Sequence, residues 1–220
     1  MIVCSLNEVE TYSRRAARGA GMPWGLAEEA GKASRWLAER GLPGVELLVR
    51  LLTANDGRLY ASMAPVIVDG RWQAPGGELC PVCSGAALSD RIDVLAGGGE
   101  ICLSALAYPL LLVPFLDPSR RLDDACYELR WPNVRVSVFA GGVTLEYKNE
   151  PAHLGERVDE VRLSVGAYGK AHPTHHPRTA GVKMSLSVWR AMDALAKRTY
   201  VPATEESRDR GAGAGRTDND

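Results

Sequence analysis

The chain has 220 residues, 45% hydrophobic and 24% charged, which fits a folded soluble protein and excludes a largely disordered one. Its 26 basic and 27 acidic residues are interspersed and leave a formal net charge of −1, so there is no electrostatic case for nucleic acid or an anionic membrane surface. The start, Met1-Ile2-Val3-Cys4-Ser5, shows no basic stretch followed by an apolar run, and five cysteines without a secretory signal fit a reducing cytoplasm.

Ser5-Leu6-Asn7-Glu8 reads as a capping box that opens a first helix. Leu6, Val9, Tyr12, Ser13, Ala16 and Ala17 recur at helical spacing until Gly19 and Gly21 stop it. A second stripe runs through Trp24, Ala27, Ala30, Ala33 and Leu37, and a third through Val45, Leu48, Val49 and Leu52. Residues 1–56 therefore form a helical section, ending near Gly57.

A mixed α+β body is expected over residues 57–200. Leu59 to Val68 has strand character, residues 70–79 read as loop, and a helix is expected from Ser84 to Leu95. Ile101 to Leu116 is 16 residues long and holds Pro109 and Pro114. It is too short to span a membrane, which takes roughly 20 apolar residues, and reads as buried strands or a short core helix. Tyr127 to Trp131, Val134 to Phe139 and Val143 to Tyr147 are strands joined by Pro132-Asn133 and Gly141-Gly142, turns too tight for parallel crossovers. Val158 to Val165 alternates as a further strand. A last helix, Leu186 to Arg198, carries Val188, Trp189, Met192 and Leu195 on one face. The expected fold is α+β: a helical N-terminal section on a mainly antiparallel sheet, with the late helix covering a sheet face. Residues 201–220 form a glycine-rich tail.

Chemistry-bearing residues concentrate in two short segments. Cys80-Pro81-Val82-Cys83 precedes a helix, where open amides and the helix dipole stabilise a thiolate, so Cys80 and Cys83 are the catalytic candidates. The second segment holds His172, His175 and His176; with the two cysteines it has the ligand chemistry of a zinc site, but wide separation and Pro173 argue against a tight one. A solvated loop is the favoured reading of the histidines, and no metal is assigned. Asp90 and Asp93 share a helix face and read as surface decoration. The tail's Gly211-Ala212-Gly213-Ala214-Gly215 neither follows a strand nor opens a helix and lacks the Gly-Lys-Ser/Thr end of a phosphate loop.

The segments Ser5 to Glu10, Ala16 to Gly21 and Trp24 to Ala30, the stretch Leu79-Cys80-Pro81 with Gly85 to Leu88, and the tail from Tyr200 resemble an uncharacterised bacterial protein family. That resemblance implies no reaction and transfers no catalytic residue. The helical start is faintly similar to the N-terminal helices of the malate/L-lactate/sulfolactate dehydrogenase family, which implies a metabolic partner but brings no cofactor residues.

The resulting expectation is a cytoplasmic small-molecule metabolic enzyme or accessory. Its site would combine Cys80 and Cys83 with Ser84, Arg198 and Arg208 as binders of a small anionic metabolite. The cofactor is unassigned; neither nucleic acid nor membrane is a partner. The alternative is a non-catalytic assembly subunit, with a protein partner or further copies of itself on the apolar helical start.

Overall fold

The computed structural model describes residues 1–120, 125–140, 142–148, 155–166 and 179–200. Strand β1 (Ile2–Ser5) leads directly into α1 (Leu6–Gly19). The capping box forms as read: the Ser5 amide donates to Glu8 Oε2 at 2.8 Å, and the Glu8 amide donates to Ser5 Oγ at 3.3 Å. Helices α2 (Trp24–Glu39) and α3 (Gly44–Ala54) follow the second and third apolar stripes. Small residues let α1 and α2 lie close, since a Cβ on Gly31 would meet the Glu10 carbonyl oxygen at 2.8 Å.

Between residues 57 and 80 the structure departs from the sequence reading. Where a strand was expected from Leu59 to Val68 there is a single turn, α4 (Tyr60–Met63), and then β2 (Val66–Val68). The stretch read as loop contains β3 (Arg71–Gln73), paired to β2 across the Asp69-Gly70 turn. The next helix, α5 (Pro81–Ser89), starts three residues early because Pro81 takes its first position, and it stops at Asp90; α6 (Asp93–Ala96) is separate.

The apolar run resolves into two parts. Strand β4 (Glu100–Ala107) ends at Tyr108, whose φ of 41° is left-handed, and a 3₁₀ segment occupies Pro109–Leu116. All eight side chains of that segment are buried. It packs on α2, α3 and α5 on one side and on β6 and β8 on the other.

Strands β5 (Tyr127–Trp131), β6 (Val134–Phe139), β7 (Gly142–Tyr147) and β8 (Arg157–Val165) complete a seven-stranded sheet of order β2-β3-β4-β8-β5-β6-β7. Among the described strands only β3 and β4 pair in parallel. One face buries Leu103, Leu129, Val136, Val161 and Leu163. On the other, the register sets Arg71, Cys102, Arg162, Arg130, Arg135 and Glu146 in one row. Arginines facing each other repel. Glu160 bridges Arg71 and Arg162 at 2.8 and 2.7 Å, and Glu128 pairs with both Arg130 and Arg135, so the face is internally neutralised.

Strand β9 (Gly181–Met184), not foreseen from the sequence, pairs antiparallel with β1, and Ser185 then caps α7 (Leu186–Lys197). The late helix is present, but it covers α1 and α3 instead of a sheet face. Gly19 permits this, because a Cβ there would collide with the Leu195 carbonyl. The fold is α+β, with one contiguous hydrophobic cluster running from Cys4 to Ala196. Among the described residues no helix is long and apolar enough to cross a membrane.

A buried polar contact fixes the end of the 3₁₀ segment to α2. Trp36 Nε1 donates to Asp117 Oδ2 at 2.6 Å, while the Arg40 guanidinium stacks 3.7 Å from the Trp36 ring centre and lies 3.8 Å from the same oxygen. Burial pushes the Asp117 carboxyl up, but hydrogen bonds from Trp36 and Ser119, with Arg40 beside them, outweigh it and hold the group below its ordinary value. Its contribution is full above the unfolded carboxyl range and is lost as pH falls through the folded value.

Two stability predictions follow from this packing. A methyl on Gly85 would land inside the Phe115 ring, so Gly85→Ala should destabilise by about 1–3 kcal/mol despite alanine's better helix propensity. Gly25→Ala, with no atom within 4 Å of the added carbon, should be neutral or stabilising; urea titration of both variants checks the contrast. Asp117→Asn should cost about 1–3 kcal/mol near neutral pH. That deficit should shrink as pH drops below about 4, which urea titrations across pH would read.

Candidate functional site

The chain approaching Cys80 is pinned rather than loose. Leu79 forms a parallel bridge with Leu106: its amide donates to the Ala105 carbonyl at 2.8 Å, and its carbonyl accepts from Ala107 at 3.1 Å. The Cys80 amide donates to the Met63 carbonyl at the end of α4, at 3.0 Å. The pair is therefore preceded by an extended segment against β4, where the sequence showed only Gly76 and Gly77. Cys80 is the N-cap of α5 and Cys83 lies in its first turn.

At this spacing the two side chains share one helix face. Both are buried, Cys80 at 1% exposure and Cys83 at 5%. The Cys83 S–H donated to Cys80 is the largest influence on the Cys80 thiol and lowers it; burial opposes this. The amides of Cys83 and Val82 and the charge of Arg58 add to the lowering, although no amide closes a strict capping bond onto the sulfur. The same hydrogen bond, with burial, pushes Cys83 far up. The two effects act in opposite directions, so Cys80 is the more acidic sulfur of the pair.

Tyr60, the first residue of α4, stands beside them. Its hydroxyl is raised by burial first and then by Cys80 and Cys83, and it has no hydrogen-bond partner. The Ser84 Oγ, fully buried, also lacks one. An unpartnered Tyr60 hydroxyl near two buried thiols, and another on the residue after Cys83, are exceptional in an interior where buried polar groups are normally satisfied. Arg58 is held by Asn55 Oδ1 at 3.0 Å and by Glu78 at 3.3 Å.

The other expected binding residues are placed differently. The Ser84 amide donates to the Cys80 carbonyl at 2.9 Å, so it is not one of the open amides of the helix start. Arg198 does meet a carboxylate, but it belongs to the chain: Asp56, 2.7 Å away. The structure brings Arg198 to the loop that carries Arg58 and Tyr60, not to the sulfurs. His172, His175, His176 and Arg208 lie outside the described residues. Among the described residues no group of three or more His, Cys, Asp or Glu side chains is arranged to hold a metal ion. Sequence reasoning missed Tyr60 and Arg58; a Tyr in an apparent strand and an Arg just before it give no signal until α4 folds against Cys80.

Residues 4–80 match a family described as a protein of unknown function (DUF3726). The match runs through the helical section, takes in Arg58, Tyr60 and Glu78, and ends at Cys80, in keeping with the resemblance carried by the N-terminal helices and Leu79-Cys80-Pro81. No curated protein matches the chain significantly.

If the Tyr60 hydroxyl is an unpaired burden on the free protein, removing it should not weaken the fold. Tyr60→Phe is expected to melt at the same temperature or higher, by up to about 1–3 kcal/mol of relieved desolvation. A clear loss of stability in a thermal melt would mean that the hydroxyl holds a structural partner.

Proposed function

We propose that this chain is a small-molecule protein, an enzyme or an enzyme accessory, that works through a reactive thiol at Cys80. The observation that supports the reading is the arrangement at the start of α5: two buried cysteines at a helix N-terminus, with the unpartnered Tyr60 hydroxyl near both and a second unpartnered hydroxyl on the next residue, Ser84. A lowered thiol pKa together with buried, unsatisfied polar groups is the pattern of a functional site more than of a packing core. Burial to 1% restricts partners to small molecules, and the helix start with Arg58 nearby favours those carrying negative charge. Cys80 supplies the nucleophile, Cys83 holds the proton, and Arg58 supports the thiolate.

A second reading, an interaction subunit, is favoured by one observation. The edge strand β2 exposes Val66, Ile67 and Val68 at 43%, 48% and 45%, three consecutive apolar side chains beside unpaired backbone groups.

The test is alkylation of the folded protein with iodoacetamide, followed by peptide mapping over a range of pH. Cys80 should be modified before Cys83, with a rate that rises at lower pH than an ordinary thiol. In Arg58→Gln that rise should move to higher pH. Modification of Cys83 first, or of neither cysteine until the protein unfolds, would rule out the thiol reading.

A further inference from the structure

We propose that Cys80 and Cys83 are a peroxide-oxidised dithiol: a small hydroperoxide oxidises Cys80, and Cys83 then closes a reversible disulfide with it. This rests on the reading of Cys80 as the reactive thiol and names the substrate class of that site.

The geometry is already close to the product. Residues three apart at a helix start have Cβ atoms about 5–6 Å apart and a disulfide draws them to about 3.5–4.5 Å, so closing the bond takes a shift of roughly 1–2 Å. Cys80 at the N-cap and Cys83 in the first turn of α5 lie on the same helix face, and each sulfur influences the acidity of the other. Pro81 at the first helical position keeps the turn's backbone preset.

Burial chooses the oxidant. Cys80 and Cys83 are 1% and 5% exposed, which shuts out glutathione disulfide and similar bulky oxidants but not a molecule little larger than water. The Tyr60 and Ser84 hydroxyls, over nine-tenths buried and unpartnered, are donors and acceptors for such a polar guest. No other pair of cysteines shares this setting: Cys4, Cys102 and Cys126 are each free, and their thiols are raised, first by burial.

The chemistry balances. The Cys80 thiolate attacks one peroxide oxygen; the S–O bond forms, the O–O bond breaks, and the departing hydroxide leaves as water after taking a proton. Sulfur has lost two electrons and is a sulfenic acid. Cys83 then attacks that sulfur, the S–S bond forms, the S–O bond breaks, and the hydroxide departs with the Cys83 proton as a second water. With hydrogen peroxide, two thiols and one peroxide become one disulfide and two waters, an alkyl hydroperoxide leaving as its alcohol in place of the first water, and an external dithiol returns the pair to its starting state.

Trypsin provides a direct readout, because residues 72–91 lie between two arginine cleavage points and contain Cys80 and Cys83 but no other cysteine. The reduced full-length protein is treated with a small excess of hydrogen peroxide, blocked with iodoacetamide and digested. The expected peptide is unalkylated, lighter than the reduced form by two hydrogens, and restored by dithiothreitol. Glutathione disulfide at the same concentration should act at least about tenfold more slowly. In Cys83→Ser, dimedone should trap a sulfenic acid at Cys80. If dimedone traps Cys80 in that variant but the native chain forms no disulfide, the dithiol proposal fails while the reactive thiol stands. If peroxide leaves Cys80 untouched in both proteins, both readings fall. Preferential oxidation of the more exposed Cys102, or equal reaction with glutathione disulfide, would also overturn the proposal; the native peptide map stands whether or not the variant folds.

Discussion

The structure is organised around the eight buried residues Pro109–Leu116. A segment with no exposed side chain cannot be a surface helix, and Pro114 in its interior lacks the amide an α-helix would need. A 3₁₀ segment is the solution, reached from β4 through the left-handed turn at Tyr108. Because it is apolar all round, it fills the space between two layers that do not otherwise meet over a broad surface: the helices on one side, the sheet on the other. The demands it makes on its neighbours are specific. Gly85 must lack a side chain so that Phe115 can lie on α5, and Trp36, Arg40 and Asp117 tie its far end to α2. A buried ion pair is weak evidence for stability in itself. Here its value is positional, since it fixes where the wedge stops.

The thiol site is a consequence of that wedge. Phe115 fixes α5, and α5 carries Cys80 at its N-terminus and Cys83 one turn in. From the other direction, β4 holds Leu79 through the bridge to Leu106, so the residue before the helix is set by the sheet. The pair therefore sits where helical layer, wedge and sheet converge. A site built on three rigid elements holds its sulfurs to a defined geometry better than a loop would.

The sequence was most legible where local chemistry decides structure. The Ser5–Glu8 box, the strands flanking Pro132-Asn133, and the apolar face of the last helix each follow from contacts within a few residues, and each formed where expected. Reading failed where a distant partner decides. Val66–Val68 looks like the core of one long strand, but Tyr60–Met63 is drawn into a helical turn by packing at Cys80. Neither β1 nor β9 has a strand-length apolar alternation; each exists because the other does. The last helix was legible as an amphipathic element, yet periodicity says nothing of which layer its face meets, and Gly19 rather than any sheet residue receives it. At the site, the spacing of Cys80 and Cys83 pointed to a dithiol. The inequality between the sulfurs depends first on their interaction with each other, and then on the amides of Cys83 and Val82 and on Arg58, which only the folded chain brings together.

The remaining question is how a sulfur 1% exposed meets anything at all, and the answer lies in what covers it. Its amide is bonded to Met63, the last residue of α4, and a helix of four residues has too few internal bonds to sustain itself. α4 is held from inside by Tyr60 and Met63, 8% and 1% exposed, and at its rim by Arg58 to Glu78, Asp56 to Arg198, and the Gly76 amide to the Ser62 carbonyl. The rim ion pairs contribute about 0–1 kcal/mol each, so the two buried side chains do most of the anchoring. Local opening on that side is cheap relative to global unfolding. A sulfur so buried meets a reagent only through such an opening, and a small reagent needs a narrower one than a bulky reagent does.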